Sequence, residues 1–250
     1  MKSHFKTVLV MSTLLAGSTA MAQAAAPAPD YTLSFNVGVT SDYRFRGISQ
    51  TSRDPAVQGG ADFAHKSGLY LGVWGSTVKW IEDYALATDG SFELDLYGGY
   101  RGSFSDKFSY DLGLIRYQYP NNSAATNANT TEVYGALTYG PVTAKYSRST
   151  GNFVANPASK GSEYLEIAAT FDLGGGYTLT PRVGHQTIPN VAGDLGDYTD
   201  YALTLGKDFG NGLSATVAAV GTNADRTFYT DSNGTFLGKN ALVAGLKYSF

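Results

Sequence analysis

The sequence predicts an all-β chain, a transmembrane antiparallel up-and-down β-barrel of about twelve strands. Three observations predict it. The end of the chain, Leu242 to Phe250, alternates strictly, with Leu242, Ala244, Leu246, Tyr248 and Phe250 on one face and Val243, Gly245, Lys247 and Ser249 on the other. Such alternation marks a strand with one apolar face. Connections along the chain alternate between short and long. Charged residues make up 16% of the 250 residues, below the ~25% usual for soluble domains. The 30 Gly, 18 Tyr and 13 Phe suit a lipid-facing sheet with tight turns; they would also suit a secreted β-sandwich, which has no reason to alternate short and long connections.

The N-terminus reads as an export signal. Lys2 and Lys6 precede an apolar run, Thr7 to Ala16, and Ala20-Met21-Ala22 is an A-x-A site that places cleavage before Gln23. The run is well short of the ~20 residues a spanning helix needs. We therefore expect a signal peptide over 1–22 and a barrel domain over 23–250. Without residues 1–22 the chain keeps 16 of its 18 basic residues and all 21 acidic ones, a net charge of −5. That mildly acidic balance offers no footprint for nucleic acid. The Cys count of zero excludes disulfides and a lipoprotein anchor. No later apolar stretch approaches the length of a membrane helix, and a closed barrel is the other structure that satisfies every backbone group in lipid.

Twelve segments of roughly ten residues follow, the length of spanning strands. The first carries Tyr31, Leu33, Phe35, Val37 and Val39, with Tyr43 and Phe45 in the same phase. The second, Val57 to Phe63, is weaker. The third has Leu69, Leu71 and Val73, then a phase break near Gly75. The fourth sets Phe92, Leu94, Leu96 and Tyr100 against Glu93, Asp95, Tyr97 and Arg101. The fifth carries Phe108 to Leu114, the sixth Val133 to Tyr139, the seventh Val142 to Tyr146 and the eighth Leu165 to Phe171. The ninth, Tyr177 to Val183, contains Pro181, which denies the ladder a donor. The tenth is Tyr201 to Leu205, the eleventh Leu213 to Ala219, and the twelfth ends the chain.

The connections near residues 66–68, 102–107, 140–141, 173–176 and 209–212 are turn-like. Those at 48–56, 79–90, 120–130, 149–161, 186–197 and 222–238 are long and polar. Outer-membrane barrels sort their connections this way, with short periplasmic turns and long extracellular loops. An even strand number puts both ends of the barrel on the periplasmic side. Aromatic girdles are expected at both interfaces. Tyr100, Phe108, Tyr110, Tyr139, Phe171, Tyr177, Phe209, Tyr248 and Phe250 would form the periplasmic one, and Tyr43, Phe45, Trp80, Tyr117, Tyr119 and Tyr146 the outer one.

The segment Asn36-Val-Gly-Val-Thr-Ser-Asp-Tyr-Arg-Phe-Arg-Gly-Ile-Ser-Gln-Thr51 resembles the opening signature of the proteobacterial TorF family of porins. Gly68-Leu-Tyr-Leu-Gly-Val-Trp-Gly-Ser76 and Glu93-Leu-Asp-Leu-Tyr-Gly-Gly-Tyr100 are similar to it as well. The resemblance implies an outer-membrane barrel of porin type and supplies no catalytic residues. The terminal strand also resembles the closing strand of bacterial outer-membrane barrels, so Leu246, Tyr248 and Phe250 read as a membrane-assembly signal. Such a barrel would be handled by periplasmic chaperones and the barrel-assembly machinery, and would meet outer-membrane lipid and lipopolysaccharide.

Function should lie on the inward face, because Arg or Lys facing lipid at the midplane costs roughly 2–4 kcal/mol. On the first strand Asp42, Arg44 and Arg46 share that face, and on the fourth Glu93, Asp95 and Arg101 do. Asp111, Glu132, Lys145, Glu166, Arg182, Asp200, Lys207 and Lys247 fall on inward phases, as do Tyr97, Tyr134 and Tyr164. The candidate pore-lining set is Asp42, Arg44, Arg46, Glu93, Asp95, Arg101, Glu132, Lys145, Glu166 and Arg182, with Arg44 and Arg46 tuning selectivity. Two readings stay open, a narrow pore lined with both signs and a lumen filled by its own ion pairs, since twelve strands lie between filled and channel-forming barrels.

Other chemistries have less support. His65 and His185 are the His residues beyond the signal segment. His185 lies on the lipid side near the outer end, but no Ser stands beside it and no G-x-S-x-G motif occurs. Asp225, Asp231 and Asn233 lack calcium-loop spacing and read as solvated loop groups. Gly174-Gly-Gly176 is a hairpin turn. Loops such as Asn121-Asn122-Ser123 leave an adhesive role open. About eight residues would precede the first strand, too few for a plug domain. The expectation is passive diffusion of small solutes across the bacterial outer membrane, with no enzyme activity, cofactor, metal or nucleic-acid partner.

Overall fold

The computed structural model describes residues 29–250. The expected signal segment, 1–22, and the expected cleavage site at Ala20, Ala22 and Gln23 lie outside the described residues. Twelve antiparallel strands form one closed barrel. They are β1 (Tyr31–Thr40), β2 (Ala56–His65), β3 (Leu69–Thr77), β4 (Phe92–Ser105), β5 (Phe108–Gln118) and β6 (Thr130–Tyr139). β7 (Val142–Ser149), β8 (Glu163–Ala169, resuming as Phe171–Gly174), β9 (Tyr177–Thr187), β10 (Tyr198–Gly210), β11 (Leu213–Thr222) and β12 (Ala241–Ser249) complete the ring. Each strand pairs with its sequence neighbour, and β1 closes on β12 with Asn36 opposite Ser249 and Thr40 opposite Gly245. Phe250 extends the seam by exchanging both backbone hydrogen bonds with Phe35, at 2.9 and 3.0 Å.

Alternation sorts the two faces. Leu33, Val37, Leu71, Leu112, Leu137, Ile167, Leu203, Val217 and Leu246 all stand exposed on the outside. Their inward neighbours are polar or small. An apolar belt of this extent has no place in water and needs lipid.

Two local features of the pattern have physical causes. The apparent phase break at Gly75 is absent: β3 continues to Thr77, and Gly75 is covered by the Phe92 ring, whose Cζ would lie 2.5 Å from an added Cβ. Pro181 leaves β9 itself intact. The partner strand lapses beside it: pairing runs from Ala168–Arg182 to Phe171–Leu179, which sets Pro181, without an N–H, opposite Ala169 and Thr180 opposite the gap residue Thr170.

The short-turn end matches the expected girdle. Tyr100, Tyr139, Phe171, Tyr177, Phe209, Tyr248 and Phe250 are exposed there, Phe108 and Tyr110 are half-buried, and Phe104 joins them. The long-loop end does not match. Tyr146 stays outside, but Trp80, Tyr117 and Tyr119 are buried, and Tyr43 and Phe45 pack inward against Trp74 and Tyr117. The cause is the path of the chain after β1. The strand stops at Thr40 and residues 42–51 turn inward, so Tyr43 and Phe45 do not extend its lipid face.

Candidate functional site: the lumen and its strap

The segment after β1 forms a small hairpin, Arg44–Phe45 paired with Ile48–Ser49. Its two-residue turn is Arg46-Gly47, with φ of +49° and +82°. Positive φ at both positions is what a tight right-twisted hairpin requires. Gly47 is needed twice over, since an added Cβ would meet Thr222 Cγ2 at 2.6 Å and Asp200 Cβ at 2.7 Å.

The hairpin crosses the barrel. It leaves from β1, and Arg46 reaches Glu132 on β6 and Gln186 on β9, which flank the wall opposite β1. Its guanidinium donates to Glu132 Oε2 at 2.6 Å and to Gln186 Oε1 at 2.7 Å. It also lies over the rings of Phe45, Phe153 and Tyr164 at 4.7, 5.4 and 4.2 Å. Burial pulls the Arg46 pKa down, but the Glu132 carboxylate more than offsets that and leaves it raised. The root of the hairpin is tied by Asp42, which accepts from Arg44 Nε and Ser49 Oγ, both at 2.6 Å. Arg44 also donates to the backbone oxygens of Gly47, Leu237 and Lys239. Tyr43 donates to Glu93 at 2.9 Å, and burial with the Glu93 and Asp95 carboxylates raises its pKa, so the hydroxyl stays protonated.

Above this strap the long loops pack into a cap. One cluster joins Val78, Trp80, Ile81, Ile115, Tyr117, Tyr119, Ala128 and Tyr134, and another joins Ile48, Tyr198, Ala224, Tyr229 and Leu237. Tyr84, just after the short helix α1 (Trp80–Asp83), packs on both. Asp231 is buried here, not solvated, and accepts from the backbone N–H groups of Asn233 and Thr235 at 3.0 and 2.7 Å.

Below the strap lies a cavity of about 820 Å³, reaching Ser103 and Ser109 near the short-turn end. A smaller cavity of about 310 Å³ shares Thr40, Gln58 and Trp74 with it. The wall from β4 to β9 carries charge: Arg101, Asp111, Lys145, Glu166 and Arg182. The wall from β10 to β12 is small and mostly apolar: Ala202, Thr204, Ala218, Val220 and Val243.

The candidate residues therefore separate into three groups. Asp42, Arg44 and Arg46 are inside the barrel, but on the strap and not on the first strand, and their charges are spent on one another and on Glu132. Glu93 and Asp95 are buried at the level of the cap. Arg101, Lys145, Glu166 and Arg182 line the cavity, where Arg182 binds Glu166 at 2.9 Å and Asp200 at 2.6 Å. Gln186, a partner of Arg46, falls on the same inward phase as Arg182, but the sequence reading ended the ninth strand before it. On the outside, Leu246, Tyr248 and Phe250 share the exposed face of the seam. His185 Nδ1 meets Thr199 Oγ1 at 3.0 Å, a hydroxyl without a third orienting group among the described residues.

Solved structures with a similar fold are porins. The chain resembles the KdgM porin with a TM-score of 0.55 at 10% identity, covering 87% of this chain and 99% of that one. It resembles the KdgM porin in complex with disordered oligogalacturonate at 0.54 and 8% identity, covering 87% and 98%. The NanC porin gives 0.53 at 10% identity, covering 88% and 99%. At these identities the likeness is one of fold. No curated protein matches the chain in sequence. The family model that does match spans residues 23–250, and the chain thus belongs to Gcw_chp, a family described as a bacterial protein of unknown function.

Proposed function

We propose that the protein is a porin-type channel of the bacterial outer membrane, of the TorF kind, through which small solutes diffuse passively. The observation that carries this reading is the charged cavity beneath the strap, which lies inside a barrel with a lipid-facing exterior and runs to its short-turn end. Resemblance in fold to porins supports it. In this reading residues 1–22 are an export signal, the short-turn end faces the periplasm, and the terminal strand is the segment the assembly machinery engages. No catalytic step or cofactor is invoked. The strap sets the open probability: with Arg46 on Glu132 the path is obstructed, and conduction requires the hairpin to leave or tilt.

Single-channel recording of the mature protein in a planar bilayer under a salt gradient tests this. The intact protein should show small or infrequent steps. Replacing residues 43–50 by a Gly-Ser linker should give large, persistent ones. The packed cap supports a second reading, a closed structural barrel. Silence from both proteins, with folding shown by heat-modifiable gel mobility, would favour that reading and sink the channel.

A further inference from the structure

Cations around the cavity are not equivalent. Arg44, Arg46 and Arg182 are each committed to a carboxylate. Arg101 and Lys145 also line the cavity, and neither forms an ion pair or a side-chain hydrogen bond among the described residues. Each has a carboxylate beside it in register, Asp111 next to Arg101 and Glu166 next to Lys145. Both carboxylates are engaged elsewhere: Asp111 accepts from the Tyr70 hydroxyl at 2.6 Å, and Glu166 accepts from Arg182.

Arg101 and Lys145 are also braced. The Arg101 guanidinium lies 4.7 Å over Tyr70, and the Lys145 ammonium 4.1 Å over Tyr134. The two tyrosine hydroxyls touch at 2.5 Å, so both cations belong to one continuous patch. Stacking uses the face of the Arg101 guanidinium, and the Lys145 ammonium can turn one of its three N–H groups to its ring, so both cations keep donors unspent. Across the cavity stand Ala202, Ala218, Val220 and Val243, adjacent in register and without charge.

We propose that this cavity is a binding site for a small organic anion, a carboxylate with an apolar body, whose charge is met by Arg101 and Lys145 and whose body lies on the Ala202–Val243 wall. An inorganic ion would leave that wall unused, and a neutral solute would leave two half-buried cations without an ion-pair partner. The volume is in the range of small-molecule pockets. The inference rests on the channel reading for the route by which the solute arrives, but the site needs no movement of the strap.

Isothermal titration of the mature, folded protein in non-ionic detergent, with benzoate and its neutral isostere benzamide as probes, tests it. Benzoate should saturate one site at least roughly tenfold tighter than benzamide, the order expected for a charge-assisted hydrogen bond. The combined Arg101→Gln, Lys145→Gln variant should erase that difference. Each single change should reduce it, which keeps the test decisive if the double variant fails to fold. Arg148→Gln, on the outer face, should leave it intact. Ala218→Phe should weaken benzoate by filling the apolar wall. Absence of saturable binding, equal binding of benzamide, or wild-type binding by the folded double variant would each overturn the proposal. Benzoate binding by a protein that never conducts would sink the channel reading and leave the site standing.

Discussion

The two ends of the barrel use the same residue types for opposite purposes. At the short-turn end, Tyr139, Tyr177, Phe209, Tyr248 and Phe250 point outward and ring the apolar belt. At the long-loop end, Tyr43, Phe45, Trp80, Tyr117, Tyr119, Tyr198 and Tyr229 point inward and build a core. Turn length makes the difference. A two- or three-residue turn holds the last side chains of both strands at the rim, where an amphipathic ring belongs in the headgroup layer. A loop of ten or more residues can fold back, and it then buries its aromatics where the barrel has room. One end is an anchor in lipid and the other a small globular core sitting in a barrel mouth.

That contrast predicts a hierarchy of effects. Glu132→Ala should have the largest, because it strands the Arg46 guanidinium at the far side of the lumen; losing one partner of a buried pair costs about 3–5 kcal/mol. Its heat-modifiability transition should fall, and trypsin should cut at Arg44 and Arg46, which the intact protein protects. Unchanged protease resistance would break the comparison at its centre. Tyr117→Ala comes next. It removes a ring that packs on Phe45 at 5.3 Å and donates to Glu132, and aromatic truncation in a core costs about 3 kcal/mol or more. Urea titration in lipid vesicles would show whether the cap melts before the barrel. Gly47→Ala should cost about 1–3 kcal/mol through its left-handed backbone and its contacts with Thr222 and Asp200. Raised conductance without loss of the barrel would be its signature. Tyr139→Ala, at the exposed rim, should change unfolding by less than about 1 kcal/mol. An effect as large as that of Tyr117→Ala would erase the distinction between the two ends.

Much of the barrel was legible from alternation. Strand count, pairing of sequence neighbours and the inward phase of Arg101, Glu132, Lys145, Glu166 and Arg182 all follow from a period of two. The strap was not legible for the same reason. Asp42, Arg44 and Arg46 alternate with Tyr43 and Phe45 just as a lipid-facing strand would, and periodicity says which residues share a face without saying what that face meets. Arg46-Gly47 makes the turn, but Arg-Gly is not one of the dipeptides that mark a hairpin, and the alternation runs through Arg46 without a break. The girdle at the long-loop end failed for a related cause: aromatic content marks an interface or a core equally well.

By itself, then, the sequence determined a closed β-barrel with a polar inside and an apolar outside, because those properties are local and repeat every second residue. The direction of the strap, the pairing of Arg46 with Glu132 and Gln186, and the release of Arg101 and Lys145 from their neighbouring carboxylates were decided by tertiary structure. Each depends on contacts between residues tens to more than a hundred positions apart. Periodicity within a strand carries no information about such contacts, and they arise only once the ring has closed.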